Sequence, residues 1–418
     1  MTYFGTDGIR GKVGESLPFH RAFELGYAIK KLYKNKKIMI AYDTRASYLD
    51  YTYALLHGLN DMDVEVLGMY PTPVLAYVSK EKDAIGVMIT ASHNPYTDNG
   101  LKLFEQGLKL QRQTLEKLES FMLEAPNYKH QPIKYLESQD IQVYLDFIKS
   151  LNFKDYISQN TLFDCANGAT SFLVPKLFQG TIIHNIPNGT NINLNCGSTH
   201  IENYIDQSKS YDVMVTYDGD GDRMLAILDG HIIYGDVLLY LFAKADEFQG
   251  IKHDVALSIM TNPGILQAFK SLDIKINETP VGDTYIIDAI QNKNVKRGAE
   301  ASGHIITEHL TIGDGILATY KLLDMISTHG IQQIKTWLHE LKLYPMETRS
   351  LHLDKKILEQ KEIKDTLNDI IDKTPTPGKV IVRASGTEDL VRITVSLETK
   401  EKVQNQIKTI ETLLIGGK

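Results

Sequence analysis

The sequence predicts an α/β protein: three similar mixed α/β units followed by a smaller C-terminal α+β unit. Up to Pro345, short apolar runs alternate with segments whose apolar residues recur at helical spacing. Such alternation predicts mostly parallel, helix-covered sheets. After Pro345 the rhythm breaks. At 418 residues the chain also exceeds what one hydrophobic core organises, so three or four domains are expected.

Ala22, Leu25, Ile29 and Leu32 mark the first helix by their spacing. A strand at Ile38–Ala41, a helix near Tyr51–Leu59 and a strand at Val64–Leu67 follow, and the run Ala84–Ile89 reads as a buried strand. A helix over Thr114–Glu124 stops before Pro126, and the polar Asn127–Gln131 reads as a linker. The second unit opens with a helix near Ile141–Leu151. It continues through a strand ending in "FDCANGAT" (163–170) and a strand Asp212–Tyr217 ending in "DGDGDR", and closes with the strand Met224–Asp229. The third runs from a helix near Val237 through "DVALSIM" (254–260) to a helix at about Ile331–Leu341. The last unit reads as a strand Arg349–Leu353, a helix Lys355–Asp372, the break "TPTPG", two strands around "RASGTED" and a final helix. The expected boundaries are 1–138, 139–235, 236–344 and 345–418. The three units suggest a weak internal repeat, without any repeat of residues.

Lys and Arg number 45 against 52 Asp and Glu, and no basic stripe stands out, so nucleic acid is not an expected partner. Two cysteines, Cys165 and Cys196, form neither a disulfide framework nor a CxxC pair. "MTYFGTDGIRG" has no apolar signal region, and the longest apolar run, near Val237–Ala243, is too short to span a bilayer. A cytoplasmic protein without membrane contact is expected.

"TASHNP" (90–95) places Ser92 and His93 at the end of a buried strand, where open α/β sheets bind ligands. It also reads as a serine turn that ties up its own backbone. His93, adjacent in sequence, would point away from Ser92 on an extended backbone. "DGDGDR" spaces Asp218, Asp220 and Asp222 between glycines, so three carboxylates can close on one hard cation. An EF-hand fails here: Arg223 and Asp229 stand where glycine and glutamate belong, and a strand precedes the loop. An acidic turn without metal remains the alternative. "RASGTEDLVR" (383–392) offers two forked guanidiniums, Arg383 and Arg392, around Ser385, Gly386 and Thr387. That suits a phosphate dianion, or an ordinary hairpin turn. "GAEASGH" (298–304) carries Glu300, Ser302 and His304, which can bind sugar hydroxyls or form a surface loop. Arg10 and Arg45 read as anion binders or surface residues. No P-loop, HExxH or GxSxG motif is present.

In this order, "FGTDGIRG", "TASHNPYTDNGLKLF", "DGDGDR", "GAEASGH" and "RASGTEDLVR" resemble the α-D-phosphohexomutase family along almost the whole chain. "DCANGAT" and "PNGTNINLNCGSTH" (187–200) are most similar to its bacterial phosphoglucosamine mutase branch. The resemblance implies three mixed α/β domains and a smaller C-terminal domain around a central cleft. Ser92 would be a phosphoserine facing that cleft. One Mg²⁺ per chain would sit on Ser92, Asp218, Asp220 and Asp222. Glu300 and Ser302 would hold the sugar, and Arg383, Ser385, Gly386, Thr387 and Arg392 its stationary phosphate. Ser92, Lys102, His304 and Arg10 would be the catalytic residues, Lys102 and His304 moving protons, with Arg223 and His93 in support. The implied reaction interconverts glucosamine 6-phosphate and glucosamine 1-phosphate through a hexosamine bisphosphate, which serves as intermediate or activator. It feeds UDP-N-acetylglucosamine synthesis. Glucose and mannose phosphates are the alternative substrates, an inactive sugar-phosphate binder the non-enzyme reading, and a homodimer the partner the resemblance allows.

Four residues depart from the family pattern. Thr284 stands for a cation, Ala301 for Gln, Ala299 for Gly and Tyr42 for Lys or Arg.

Overall fold

The protein was described from a computed structural model covering residues 3–5, 7–154, 160–292, 295–384 and 390–416. Its first sheet runs in the order Ile9–Lys12, Asp98–Glu105, Ile85–Ile89, Ile38–Tyr42, Val64–Met69, with Leu108–Lys109 paired to Asp98–Glu105. Ile38–Tyr42 lies between two parallel neighbours, while Ile85–Ile89 meets Asp98–Glu105 antiparallel. In the second sheet Thr161–Asp164 lies between parallel Thr181–Ile183 and Val213–Tyr217, and the latter meets Met224–Leu228 antiparallel. In the third, Val255–Ser258 lies between parallel Ile276–Thr279 and Arg297–Ala299, and the latter meets Ile305–Ile306 antiparallel.

The repeat that no residue pattern revealed is therefore topological. Each unit has a central strand, a parallel neighbour on either side, and a fourth strand running back. The connection into that fourth strand is 90–97 in the first unit, 218–223 in the second and 300–304 in the third. Three of the motifs thus occupy one equivalent position, beyond the carboxyl end of a buried parallel strand.

Alternation along Ile38–Tyr42 shows why these strands read as unbroken apolar runs. Ile38, Ile40 and Tyr42 enter a core under the first helices, whereas Met39 and Ala41 enter another that continues through the second and third units. That larger core includes Tyr144, Phe163, Tyr217, Leu241 and Trp337, so the first three units share apolar interior. The C-terminal unit keeps its own core. Its antiparallel strands Met346–Leu351, Val391–Ser396 and Lys379–Ala384 are covered by the helices Lys361–Asp372 and Lys400–Gly416.

Three elements differ from expectation. Lys355–Asp372 is a 3₁₀ turn, Lys355–Glu359, and a separate helix, Lys361–Asp372, because Gln360 is extended between them. The strand expected at Arg349–Leu353 is Met346–Leu351, in register with Val391–Ser396, and Leu353 drops into the core after its end. Asn127–Gln131 carries no helix or strand and is mostly exposed, but two of its side chains pack back on the first unit. The Tyr128 ring stacks on Phe23 at 4.6 Å and His130 Nε2 lies 2.9 Å from Asp50. Among the described residues, no helix is long and apolar enough to cross a membrane.

Candidate active site

Ser92 has φ +53°, the left-handed region that a serine enters only when its surroundings hold it there. Its N–H donates to Thr90 Oγ1 at 2.8 Å, and its Oγ donates to Asp218 Oδ2 at 2.8 Å. The backbone is therefore not extended, and His93 does not point away: its Nδ1 lies 3.4 Å from Ser92 Oγ. Burial lowers the His93 pKa to about 4, so the ring beside the serine is neutral at physiological pH.

Arg45 is neither an anion binder nor a surface residue. It is fully buried, and all five of its guanidinium N–H groups are used. Nε donates to Asp43 Oδ2 at 2.9 Å, Nη1 to Pro95 O at 2.5 Å and Asp98 O at 3.1 Å, and Nη2 to Ser92 O at 2.8 Å and Asn94 O at 2.9 Å. From the second unit, Asn193 Nδ2 reaches the same Ser92 O at 2.9 Å and Asn94 O at 3.1 Å. Gly219 permits this closeness, since a Cβ there would sit 2.5 Å from Ser92 O.

Asp218, Asp220 and Asp222 are buried together, with one oxygen of each within 4.8 Å of the others. Lys102 Nζ donates to Asp220 Oδ2 at 2.7 Å and Asp222 Oδ2 at 3.1 Å, and lies 3.3 Å from Asp7 Oδ2. Burial opposes the Lys102 charge, but the carboxylates of Asp220, Asp222 and Asp7 outweigh it and hold its pKa well above the usual lysine range. The Asp218 pKa is also pushed well up, by burial and by Asp222 and Asp220, which for a carboxyl disfavours the charged form. Lys102 thus meets Asp220 and Asp222 but not Asp218, whose nearest cation is Arg223 at 3.9 Å. Among the described residues, Asp220 Oδ1 and Asp222 Oδ1 are buried without a hydrogen-bond partner. Two orphaned carboxylate oxygens beside a third carboxylate and a hydroxyl form an all-oxygen set that fits a hard divalent cation.

A cleft of about 540 Å³ opens in front of this cluster, and all four units line it. Arg10 and His93 come from the first, Asp222 and Arg223 from the second, Glu300, Ala301, Ser302 and His304 from the third, and Arg383 and Arg392 from the fourth. Ser92 itself is 1% exposed and lies behind that wall, because its hydroxyl bonds inward to Asp218. Arg223 Nε stands 3.9 Å from both Asp218 and Asp222. Arg383 and Arg392 are directly opposed across their two strands. Burial, then the neighbouring Arg392, depresses the Arg383 pKa, which is the field an anion would relieve. Ser385, Gly386 and Thr387 lie outside the described residues. Gly282 N–H donates to Glu300 at 2.9 Å, which anchors the carboxylate. Gly313 N–H donates to His304 Nε2 at 3.1 Å, so the neutral ring carries its proton on Nδ1, 3.8 Å from Asp222.

Several residues of this neighbourhood carried no signal of their own. Asp7 sits inside the quoted "TDGIRG" but pairs with Arg10, Lys102 and Lys109. Lys109 also pairs with Asp283 at 2.5 Å, so this ion pair ties the first unit to the third. Of the departures, Ala301 lines the cleft and Thr284 adjoins Asp283, which also does. Ala299 is buried in the shared core, and Tyr42 turns into the first core to donate to Glu137.

Residues 1–129, 234–344 and 347–412 match, in turn, domain I, domain III and the C-terminal domain of the phosphoglucomutase/phosphomannomutase family. Phosphoglucosamine mutases of Caldicellulosiruptor bescii and Listeria monocytogenes are each 34% identical over 442 residues, covering 98% and 99% of this chain and 98% of theirs. That of Halalkalibacterium halodurans is 35% identical over 427 residues, covering 96% of this chain and 95% of its own. Two solved structures share the fold at 20% identity. A phosphoglucomutase/phosphomannomutase family protein from Burkholderia thailandensis has a TM-score of 0.83 over 99% of this chain and 97% of its own. A putative phosphomannomutase from Thermus thermophilus has 0.77 over 99% of both. An Aspergillus fumigatus N-acetylphosphoglucosamine mutase, solved with GlcNAc-6P and magnesium, has 0.69 at 17% identity, over all of this chain and 96% of its own. A serine held against three aspartates, a cleft walled by four units and full-length likeness lead to one conclusion: this chain belongs to the α-D-phosphohexomutase family and is an enzyme of its isomerase type.

Proposed function

We propose that this phosphohexomutase is a phosphoglucosamine mutase, interconverting glucosamine 6-phosphate and glucosamine 1-phosphate through a phosphoserine at Ser92. The observation that carries the reaction is Ser92 Oγ, held 2.8 Å from Asp218 in a buried three-aspartate loop beside an arginine-lined cleft. The sugar rests on the full-length relatives named phosphoglucosamine mutase and on Glu300, whose carboxylate favours an ammonium at C2.

In the proposed cycle the bond from phosphorus to Ser92 Oγ breaks as a bond to a sugar hydroxyl forms. The hydroxyl proton passes to a base. His304, on the cleft wall, and Lys102 are the candidates, and Lys102 yields its proton only when the carboxylates around it are drawn off. The resulting bisphosphate turns over in the cleft, and its other phosphoryl group returns to Ser92. Arg10 and Arg223 neutralise the group in transit, while Arg383 and Arg392, with Ser385, Gly386 and Thr387, grip the phosphate that stays. Glu300 and Ser302 hold the sugar hydroxyls. His93, neutral and 3.4 Å from Ser92 Oγ, keeps water and charge from the serine. Ser92, Asp218, Asp220 and Asp222 would hold Mg²⁺, which supplies positive charge to phosphoryl oxygens when bound.

Ala301 favours the second reading, a mutase of glucose or mannose phosphates, because it places no amide on the cleft wall. One lost hydrogen bond is worth about 1 kcal/mol, less than tenfold in rate, so it blurs rather than reverses a preference built on several contacts. Side-by-side kcat/KM for glucosamine, glucose and mannose 6-phosphates tests the assignment. At least about tenfold preference for the amino sugar is expected, and preference for either other sugar refutes it.

A further inference from the structure

Away from the cleft, the second unit gathers a different set of donor groups. Asp164 ends the strand Thr161–Asp164, His184 follows Thr181–Ile183, and Cys196 lies on the loop after Asn191. A carboxylate oxygen, an imidazole nitrogen and the sulfur of these three residues lie within 4.8 Å of one another. We propose that Asp164, His184 and Cys196 form a second cation site, for a thiophilic divalent ion of the zinc class, distinct from the aspartate loop.

The donor set decides the class of ion. The aspartate loop offers oxygen alone and suits hard cations, whereas thiolate with imidazole selects zinc, cobalt or cadmium. The spacing fits. Bonds of about 2.0–2.3 Å to a tetrahedral ion put its ligands roughly 3.3–3.7 Å apart, so the three groups need only small shifts. Asp164 Oδ1 and His184 Nδ1 are already 3.0 Å apart, and the ion would replace that contact. The ligands are also oriented. Gly197 N–H anchors Asp164 Oδ2 at 2.7 Å, and Asn167 Nδ2 lies 3.9 Å from Cys196 Sγ. Asp164 and Cys196 are buried, while His184 is 37% exposed, which gives the ion a path in and leaves a fourth position for water. On binding, the thiol proton leaves to solvent as the metal–sulfur bond forms, and no electron moves. The exposed trio Asp229, His231 and His339 makes a weaker case, since Lys335 already stands 3.2 Å from Asp229.

The consequence is a staple. The loop that carries Cys196 also carries Asn193, which braces Ser92 O, so the ion would pin that brace to the strand ends and stabilise the native state.

Co²⁺ is the probe, titrated into the whole protein with Mg²⁺ in large excess. A thiolate-to-cobalt charge-transfer band reports sulfur ligation and is blind to the aspartate loop. One equivalent should generate the band and raise the unfolding temperature of the wild type. Cys196→Ala and His184→Ala should each weaken binding at least tenfold and lose that rise, whereas Cys165→Ala should behave as wild type. No band in the wild type, or a band that survives Cys196→Ala, overturns the site. A cobalt-induced rise that persists in both ligand variants overturns the staple. Should Cys196→Ala fail to fold, His184→Ala, at a half-exposed position, carries the same test.

Discussion

Replacing Arg45 by lysine tests how the serine loop is held. Five N–H donors meet five acceptors there, four of them backbone carbonyls of Ser92, Asn94, Pro95 and Asp98. A lysine keeps the charge opposite Asp43 but brings three donors from a single point, so at least two acceptors lose their partner. Each buried acceptor left unpaired costs about 1–3 kcal/mol. Asn193 still serves Ser92 O and Asn94 O, and water entering the gap returns part of the rest. A total of about 2–4 kcal/mol therefore leaves the loop. Because the loss is local, native-state hydrogen exchange reads it better than global unfolding. The Asn94 N–H, bonded to Ala91 O, and the Asp98 N–H, bonded to Pro95 O, are the reporters. Their exchange should quicken about 30- to 1,000-fold in Arg45→Lys, with a fall in kcat larger than any change in KM. Exchange within about threefold of wild type would show that the guanidinium does not hold the loop.

Ser92→Ala should remove both turnover and the phosphorylated species, as read by intact mass of the purified protein; a phosphorylated species that persists would place the phosphate elsewhere. Asp220→Asn is the informative change in the aspartate loop, because Asp220 also accepts from Lys102 and from Thr72 at 2.6 Å and alanine would strip the core of both. The amide should cost at least about a hundredfold in kcat, as should chelation of divalent ions, while leaving the thermal transition within a few degrees. Asp314 is buried, accepts from Tyr144 at 2.8 Å, and has its pKa pushed by burial from 3.8 to about 6. The charged form is the disfavoured one, so native stability falls as pH rises from about 4 through 6. Asp314→Asn should accordingly be more stable than wild type above pH 6, by up to about 3 kcal/mol, with the gap closing near pH 4 in urea titrations.

What the sequence by itself determined are the local matters. Unbroken apolar runs such as Ile38–Tyr42 and Ile85–Ile89 became strands buried on both faces, because a strand covered by helices needs no polar alternation. The motifs carried their chemistry in donor types, so the aspartate triad was legible as a candidate cation site and the paired arginines as a candidate anion site. Adjacency misled where the backbone was irregular. His93 was expected to point away from Ser92, and the left-handed φ at Ser92 brought the ring back. Arg45 was legible as a cation but not as a clamp, because its carbonyl partners lie about 50 residues on and present no side-chain pattern. The same holds for Asn193, Asp7 and Lys109, whose partners belong to other segments. Only the tertiary structure decided that the loops 90–97, 218–223 and 300–304 occupy one position of a threefold-repeated topology and open on a single cleft. Strand order and the packing of one unit on another depend on apolar faces meeting at long sequence separation, and no local periodicity encodes which faces meet.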